Sequence, residues 1–343
     1  MFEIVLSLCL LANPETCETR LLPVGAADCA KALARAEEIA PEWGDALIAG
    51  PFDCVERPNS GMAFAQIAPG VFVHRGQVAD VTPDNLGDVA NIGFIIGEDS
   101  VAVIDAGGSR AVGEAVYLAV RQITEKPISH LILTHMHPDH VMGAEVLIEA
   151  GAQVVGHRKL GQALAARAET YETSFARLMG AGFIGSRVPT VGEGIADRAE
   201  IDLGGRMLDL VAWETAHSES DVTVFDRQTA TLFTGDLVFD AHSPALDGSV
   251  LGWLRVLEAM GAPAPARIVP GHGGPVLEWP EGVVDLRRYL EVLRDETRAA
   301  VSQGLRLGEA IETVGQSEAA RWALFDLFHP RNVTAAFTEL EWE

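Results

Sequence analysis

The chain predicts a layered α/β fold, with two sheets inside and helices outside. Short apolar runs of strand length alternate with longer runs of helical spacing, in two similar halves. Gly- and Pro-rich turns separate them where the backbone must reverse. The 343 residues, 48% of them hydrophobic, suffice for one large domain of roughly 250 residues plus an appendage.

Residues 1–58 read as a small N-terminal lobe. The apolar run 4–12 is followed by Asn13-Pro14 and lacks the basic start of a signal peptide, so a retained strand or helix is expected. It is too short to span a bilayer, and no other stretch reads as a membrane span. A helix is expected over 26–39, closed by Pro41, with Pro51, Pro58 and Gly61 marking the exit. All four cysteines, Cys9, Cys17, Cys29 and Cys54, fall in this lobe. Two disulfides in an oxidising compartment fit that pattern, and so do four reduced, half-buried thiols. Periplasmic and cytoplasmic locations both stay open.

Residues 59–343 read as the main domain with C-terminal helices. Strands are expected over 64–68, 70–74, 91–97 and 100–105, the last two joined by a hairpin turn at Gly97-Glu98-Asp99. A helix follows over 110–123, with Ala115, Leu118, Ala119 and Ile123 near one face. Strand 130–133 runs straight into a His-rich segment. Strand 153–156 and helix 160–168 come next, then a polar, Gly-rich stretch to about residue 198. Strands near 201–203, 207–213, 221–225 and 231–234 precede a helix over 252–260 and a strand over 267–269. Helices over 281–303 and 318–328 close the chain.

The chemistry concentrates in His135-Met136-His137-Pro138-Asp139-His140, directly after an apolar strand. A strand end leading into a loop is where a rigid scaffold offers side chains to a site. Alternation aims His135 and His137 the same way, as two ligands of one metal. Asp139 and His140, just beyond, can turn to a second metal. Imidazole and carboxylate suit Zn²⁺, and also Fe or Mn.

The run from Thr134 to His140, with Gly143 behind it, resembles the His-x-His-x-Asp-His signature of the metallo-β-lactamase superfamily. The rest of that pattern also has matches: His217 in Thr215-Ala216-His217-Ser218, Asp236 in Thr234-Gly235-Asp236, and His272 in Gly271-His272-Gly273. The resemblance covers roughly residues 60–275. It implies an αββα metallo-β-lactamase-like sandwich, here with a small N-terminal Cys-bearing lobe, and a site at one edge between the sheets. It implies two Zn²⁺ ions, with His135, His137 and His217 on the first, Asp139, His140 and His272 on the second, and Asp236 bridging. Asp139 and Asp236 are thereby expected to serve catalysis. Three neutral histidines leave one metal with an open position and acidify a bound water to a pKa near ~7. The expected reaction is hydroxide attack on a small acyl compound: an ester, thioester or lactone.

Asp105, in Ile104-Asp105-Ala106-Gly107, resembles the residue that orients a metal-bound His. A turn or helix-cap role is the alternative. His157 and His242 are candidate pocket residues, with Ser243 as a further anchor and Phe239 and Trp253 as walls. His74, His130 and His329 read as structural histidines.

Segment 126–143, Val155-Gly156-His157, Gly235-Asp236 with 244–249, and Pro330-Arg331-Asn332-Val333-Thr334 together resemble the quinoprotein relay system zinc metallohydrolases. That implies a functional link to a quinoprotein dehydrogenase system. Two other function classes fit the ligand pattern less well. Iron-dependent persulfide dioxygenases tend to leave the second ligand group idle, whereas here it is complete. A non-catalytic metal-binding module has no need of a bridging Asp. Nucleic acid is a poor substrate for a chain with 25 basic and 49 acidic residues, a formal charge of −24.

Overall fold

The computed structural model describes residues 1–41, 43, 47–192 and 194–343. In the lobe, β1 (Phe2–Leu10), β2 (Asn13–Ala26), β3 (Leu47–Ala49) and β4 (Asp53–Glu56) form an antiparallel sheet, and α1 (Cys29–Ile39) packs against it. The run that allowed strand or helix is a strand because its burial has period two: Ile4, Leu6 and Leu8 point inward and Ser7 outward. The helix begins three residues later than expected. Asp28 caps it by accepting the Lys31 N–H at 2.9 Å, while Ala26 still belongs to β2. The cysteine alternatives resolve as two disulfides, Cys9–Cys17 across the β1–β2 pair and Cys29–Cys54 from α1 to β4.

The main domain continues with β5 (Ala65–Ala68), β6 (Val71–His74), β7 (Ile92–Ile96), β8 (Val101–Ile104), α2 (Arg110–Ile123), β9 (Ile128–Ile132), α3 (Pro138–Val141), α4 (Ala144–Glu149) and β10 (Gln153–Val155). These strands make a six-stranded sheet in the order β10-β9-β8-β7-β6-β5. After α5 (Leu160–Met179) come β11 (Arg198–Asp202), β12 (Met207–Ala212), β13 (Val222–Asp226), β14 (Thr231–Phe239), α6 (Val250–Ala259) and β15 (Arg267–His272). The second sheet has five strands in sequence order, β11 to β15. The chain ends with α7 (Val284–Ser302), α8 (Leu307–Thr313) and α9 (Phe325–Leu340).

Three apolar layers hold this αββα sandwich. Between the sheets, Val73, Ile95, Ile104 and Ile132 meet Leu208, Leu210, Val224 and Phe233. Outside the first sheet, Phe94, Val103 and Leu131 pack on Val116 and Val120 of α2 and Leu164 of α5. Outside the second, Leu232 and Ile268 pack on Trp253 of α6, Leu290 of α7 and Val333 of α9. Each such side chain contributes on the order of 1.5–3 kcal/mol by leaving water.

Several boundaries differ from expectation for identifiable reasons. Helix α5 runs eleven residues past 168, to Met179, because Phe175 and Met179 resume the buried face after an exposed polar turn. Ile123 is 44% exposed, while Leu118 and Ala119 are buried as expected, together with Val112, Val116 and Val120. Helix α8 was not foreseen, and the helix expected over 318–328 is a 3-10 turn at Gln316–Arg321 followed by α9. Strand β14 does not stop at 234 but continues through Asp236 to Phe239.

The lobe meets the main domain through buried charge. Arg110, 1% exposed, binds Glu149 with two 2.7 Å hydrogen bonds, Glu114 at 3.1 Å and the Leu21 carbonyl at 2.7 Å. Glu3, fully buried on β1, accepts from Arg57 Nε at 2.7 Å and Tyr117 Oη at 3.1 Å. Of these bonds, those that cross the seam run from Arg110 to the Leu21 carbonyl and from Tyr117 to Glu3, and the ion pairs on either side hold those groups in place.

Candidate metal centre

Four chain segments deliver the expected ligands to one edge between the sheets. His135 follows β9, and His137 is the N-cap residue of α3. Pro138 fills the first position of α3, where a missing N–H costs nothing, and Asp139 and His140 follow on its first turn. His217 sits in the β12–β13 connection, Asp236 inside β14 and His272 at the end of β15. The β14–β15 register shifts on both sides of Gly235, and this irregularity re-aims Asp236 toward the histidines. Gly271 permits the approach: a β-carbon there would lie 1.9 Å from Asp236 Oδ1.

The donor atoms fall into two groups, His135, His137, His217 with Asp236, and Asp139, His140 with His272. In the first, His137 Nδ1 lies 3.0 Å from His135 Nε2 and 2.9 Å from His217 Nε2. In the second, His272 Nε2 lies 3.4 Å from His140 Nε2 and 3.2 Å from Asp139 Oδ2. Asp236 reaches both. Its Oδ2 is 3.7 Å from His135, 3.5 Å from His217 and 3.4 Å from His272, and its Oδ1 is 3.1 Å from His140. Ligand atoms about 2.0–2.1 Å from a tetrahedral ion stand about 3.3 Å apart, so these spacings fit metal binding. Asp236 Oδ1 is buried without a hydrogen-bond partner of good geometry, an arrangement a cation would satisfy.

The other ring nitrogen of each histidine is held from behind. His140 Nδ1 donates to Asp105 Oδ2 at 2.8 Å, His217 Nδ1 to the Ala245 carbonyl at 2.6 Å and His272 Nδ1 to the Val89 carbonyl at 2.9 Å. His135 Nδ1 faces Thr134 Oγ1 at 3.0 Å, and His137 Nε2 faces Asp247 Oδ2 at 3.2 Å. These contacts fix the tautomers that leave the converging nitrogens free to bind a metal. Asp105 also accepts the Thr134 N–H and Oγ1–H, both at 2.8 Å. Its backbone sits at φ 62°, a left-handed conformation that costs energy for a non-glycine residue and recurs at functional sites.

Electrostatics separates the groups. Burial and the neighbouring His140 hold His135 well below the usual imidazole value, and burial holds His217 at about 3. In the second group burial also pulls downward, but the carboxylates win. Asp236 and Asp105 hold His140 well above its usual value, and Asp236 with Asp139 raises His272 to about 9. Against burial, His272 and His140 hold Asp236 far below the normal carboxylate range. The carboxylates thus demand positive charge at the spot where the ligand atoms converge.

A cavity of about 1110 Å³ opens beside this cluster. His242 and Phe239 line it. His157, Ser243 and Trp253 are not among its lining residues. His157 Nδ1 accepts the Lys159 N–H at 3.1 Å, and Trp253 is wholly buried with its ring 5.2 Å from His217. His329, one of the histidines read as structural, bonds Tyr289 Oη at 2.9 Å and the Val314 carbonyl at 2.8 Å. Sequence reading missed Asp247 and the cavity-lining faces of α5 and α9. Asp247 is 110 positions from the His137 it contacts, so no local spacing announces it.

The sequence profile of the Metallo-beta-lactamase superfamily matches residues 86–272, more than half of the chain. Acyl-coenzyme A thioesterase MBLAC2 from Homo sapiens is 28% identical over 218 residues, covering 54% of this chain and 74% of that protein. Its Bos taurus counterpart is 27% identical over 220 residues, with the same coverage. Among solved structures, the sec-alkylsulfatase Pisa1 from Pseudomonas sp. superposes with a TM-score of 0.63 at 17% identity over 81% of this chain. The match spans 50% of that sulfatase chain. A metallo-beta-lactamase from Pontibacter korlensis superposes with a TM-score of 0.54 at 19% identity, covering 67% of this chain and 99% of that one. At these identities the structural matches speak for the fold alone.

Proposed function

The chain belongs to the metallo-β-lactamase superfamily, and we propose that within it the protein is a dinuclear metal-dependent hydrolase of a small acyl compound, with a thioester as the first candidate. The observation that carries this reading is Asp236. One buried carboxylate stands within 3.1–3.7 Å of ring nitrogens from both ligand groups. A carboxylate so placed supports two cations side by side. The thioesterase activity in the name of the human and bovine relatives favours thioesters.

His135, His137 and His217 would hold one ion, Asp139, His140 and His272 the other, and Asp236 both. Two divalent cations bound there would supply an acidified water as nucleophile and Lewis acidity for the oxygen that gains charge. The chain's own residues set the geometry. Asp105, Asp247 and the Ala245 and Val89 carbonyls orient the imidazoles. Asp139, which His140 and His272 keep ionised despite burial, lines the cavity and would offer a carboxylate oxygen to a proton of the attacking water. Phe239, Phe175 and Leu246 line the cavity beside the cluster and exclude bulk water around an acyl chain. The link to a quinoprotein dehydrogenase system belongs to the same proposal. The two disulfides support it, since such bonds persist in oxidising compartments.

The test is elemental analysis of the purified protein, followed by an ester, thioester, lactone and β-lactam panel with a single-stranded oligonucleotide as control. Two metal equivalents and acyl turnover are expected. One equivalent or less would refute the dinuclear assignment. Oligonucleotide cleavage without acyl turnover would refute the substrate class.

A further inference from the structure

The cavity is walled by two helix faces. From α5 come Arg167, Tyr171, Ser174, Phe175 and Leu178, and from α9 come Leu327, Phe328, Arg331, Thr334 and Thr338. Both sets recur at three- and four-residue spacing, so each helix turns one continuous stripe toward the space. The α9 stripe lies beyond the segment matched to the superfamily.

Arg331 is distinctive within this lining. It is exposed to the cavity, and among the described residues no hydrogen bond or ion pair engages its guanidinium. The other arginine of the lining, Arg167, already faces Asp247 at 3.3 Å and Glu219 at 3.9 Å. Glu339, the carboxylate on the same stripe as Arg331, is bound elsewhere: it accepts the Val250 N–H at 2.7 Å and the Ser249 hydroxyl. Acidic residues outnumber basic ones 49 to 25 in this chain, yet this guanidinium stays unpaired on a pocket wall.

Its position relative to the ligands can be traced. The His272 ring lies 4.8 Å from His242, and His242 lies 4.9 Å from Phe328. Arg331 follows Phe328 by three residues, so the two are neighbours on the helix surface, about 4.5 Å apart along the axis. The path from metal ligand to guanidinium therefore runs past the His242 and Phe328 rings, in a cavity whose lining also includes Phe175, Phe239, Leu246 and Leu327, and ends on a fixed fork of donors that matches a carboxylate.

We propose that the cavity takes an acyl chain whose far end carries a carboxylate, and that Arg331 anchors that end while the scissile carbonyl lies at the metal cluster. This rests on the acyl-hydrolase reading. The apolar stretch fits a hydrocarbon body, and the free guanidinium fits its charged terminus. A substrate charged on its leaving group would instead place that charge, rather than an acyl terminus, against Arg331.

The first measurement is binding, which needs no turnover. Straight-chain monocarboxylates and dicarboxylates of matched length, from six to fourteen carbons, are titrated calorimetrically into the metal-replete protein. At the best length the dicarboxylate is expected to bind at least tenfold tighter than its monocarboxylate. That ratio should fall to near one in Arg331→Gln and return in part in Arg331→Lys. Arg177→Gln, on α5 but outside the cavity lining, should keep it. Equal affinities in the unaltered protein, or a ratio that survives Arg331→Gln, would overturn the anchor. The second measurement compares turnover of carboxyl-ended and methyl-ended acyl thioesters. A preference that tracks charge on the thiol instead would also overturn it. Intact dicarboxylate preference with no turnover of any ester, thioester or lactone would leave the anchor standing and defeat the hydrolase reading.

Discussion

Exchanging Asp105 for Asn tests how the second ligand group is held. The change removes a charge and converts Oδ2 from an acceptor into a donor while conserving shape. Oδ1 still accepts the Thr134 N–H, so the strand end stays in place. At Oδ2 two donors now meet a third, since both Thr134 Oγ1–H and His140 Nδ1–H pointed there. The hydroxyl can rotate and accept. The imidazole has one remedy, which is to move its proton from Nδ1 to Nε2. Nε2 is the nitrogen aimed at Asp236 and His272, so this tautomer blocks ligation. Losing such an outer partner typically weakens a metal site ten- to hundredfold, about 1.4–2.7 kcal/mol. The first group should be spared, because Thr134 Oγ1 keeps a lone pair for His135 Nδ1–H. The assay is stepwise metal titration with competing chelators, read beside a thermal melt of the metal-free protein. The expected outcome is one site weakened within that range and one unchanged. Two sites of unaltered affinity would refute the tautomer argument, and equal loss at both would refute the separation into two groups.

Three further outcomes are expected. Gly271→Ala should lower metal occupancy while the protein still folds, because the new methyl would collide with Asp236 Oδ1 at 1.9 Å; native mass spectrometry with two ions retained would contradict this. The native, non-reduced protein should show no free thiols. Reduction should lower the urea midpoint, with Cys29–Cys54 mattering more than Cys9–Cys17 because it closes 25 residues rather than 8, each bond being worth up to ~2–4 kcal/mol; four titratable thiols would rule out the pairing. Burial disfavours protonated His74, but its 2.7 Å contact with Asp88 prevails and raises its pKa. The stabilisation from that proton is complete below the unfolded value of about 6.5 and is lost as pH rises through the raised folded value. Relative to His74→Gln, the unaltered protein should lose stability across that window, and parallel urea midpoints from pH 6 to 9 would show the contact to be inert.

Much of the site could be read from sequence because its chemistry is local. His135 to His140 occupy six consecutive positions, and Gly235-Asp236 and Gly271-His272 each carry a glycine at a close approach, Gly235 to Thr134 and Gly271 to Asp236. The sheets were legible for a similar reason, since their strands are continuous apolar runs bounded by turns. What escaped depends on distant partners. The extension of α5 turns on Phe175 and Met179 meeting Met142 and Phe183, contacts with no signature inside the helix. Asp247 gains its role only when the chain returns to His137. Burial misled the choice of wall residues: Trp253 follows the site closely in sequence, but its large ring lies under His217 rather than beside the cavity.

The stripes of α9 bear on how this protein can be re-engineered. Phe325, Val333, Ala336 and Leu340 are buried on one side of the helix, while Arg331, Thr334 and Thr338 occupy another. A change on the second set alters what the pocket accepts without opening a void in the interior. None of those three residues is among the metal ligands. In the proposed acyl hydrolase, selectivity and chemical competence would therefore be carried by separable parts of the chain. A library restricted to Leu327, Arg331, Thr334 and Thr338 would sample new acyl ends while keeping the reaction centre constant, which makes α9 an interchangeable fitting rather than a fixed support.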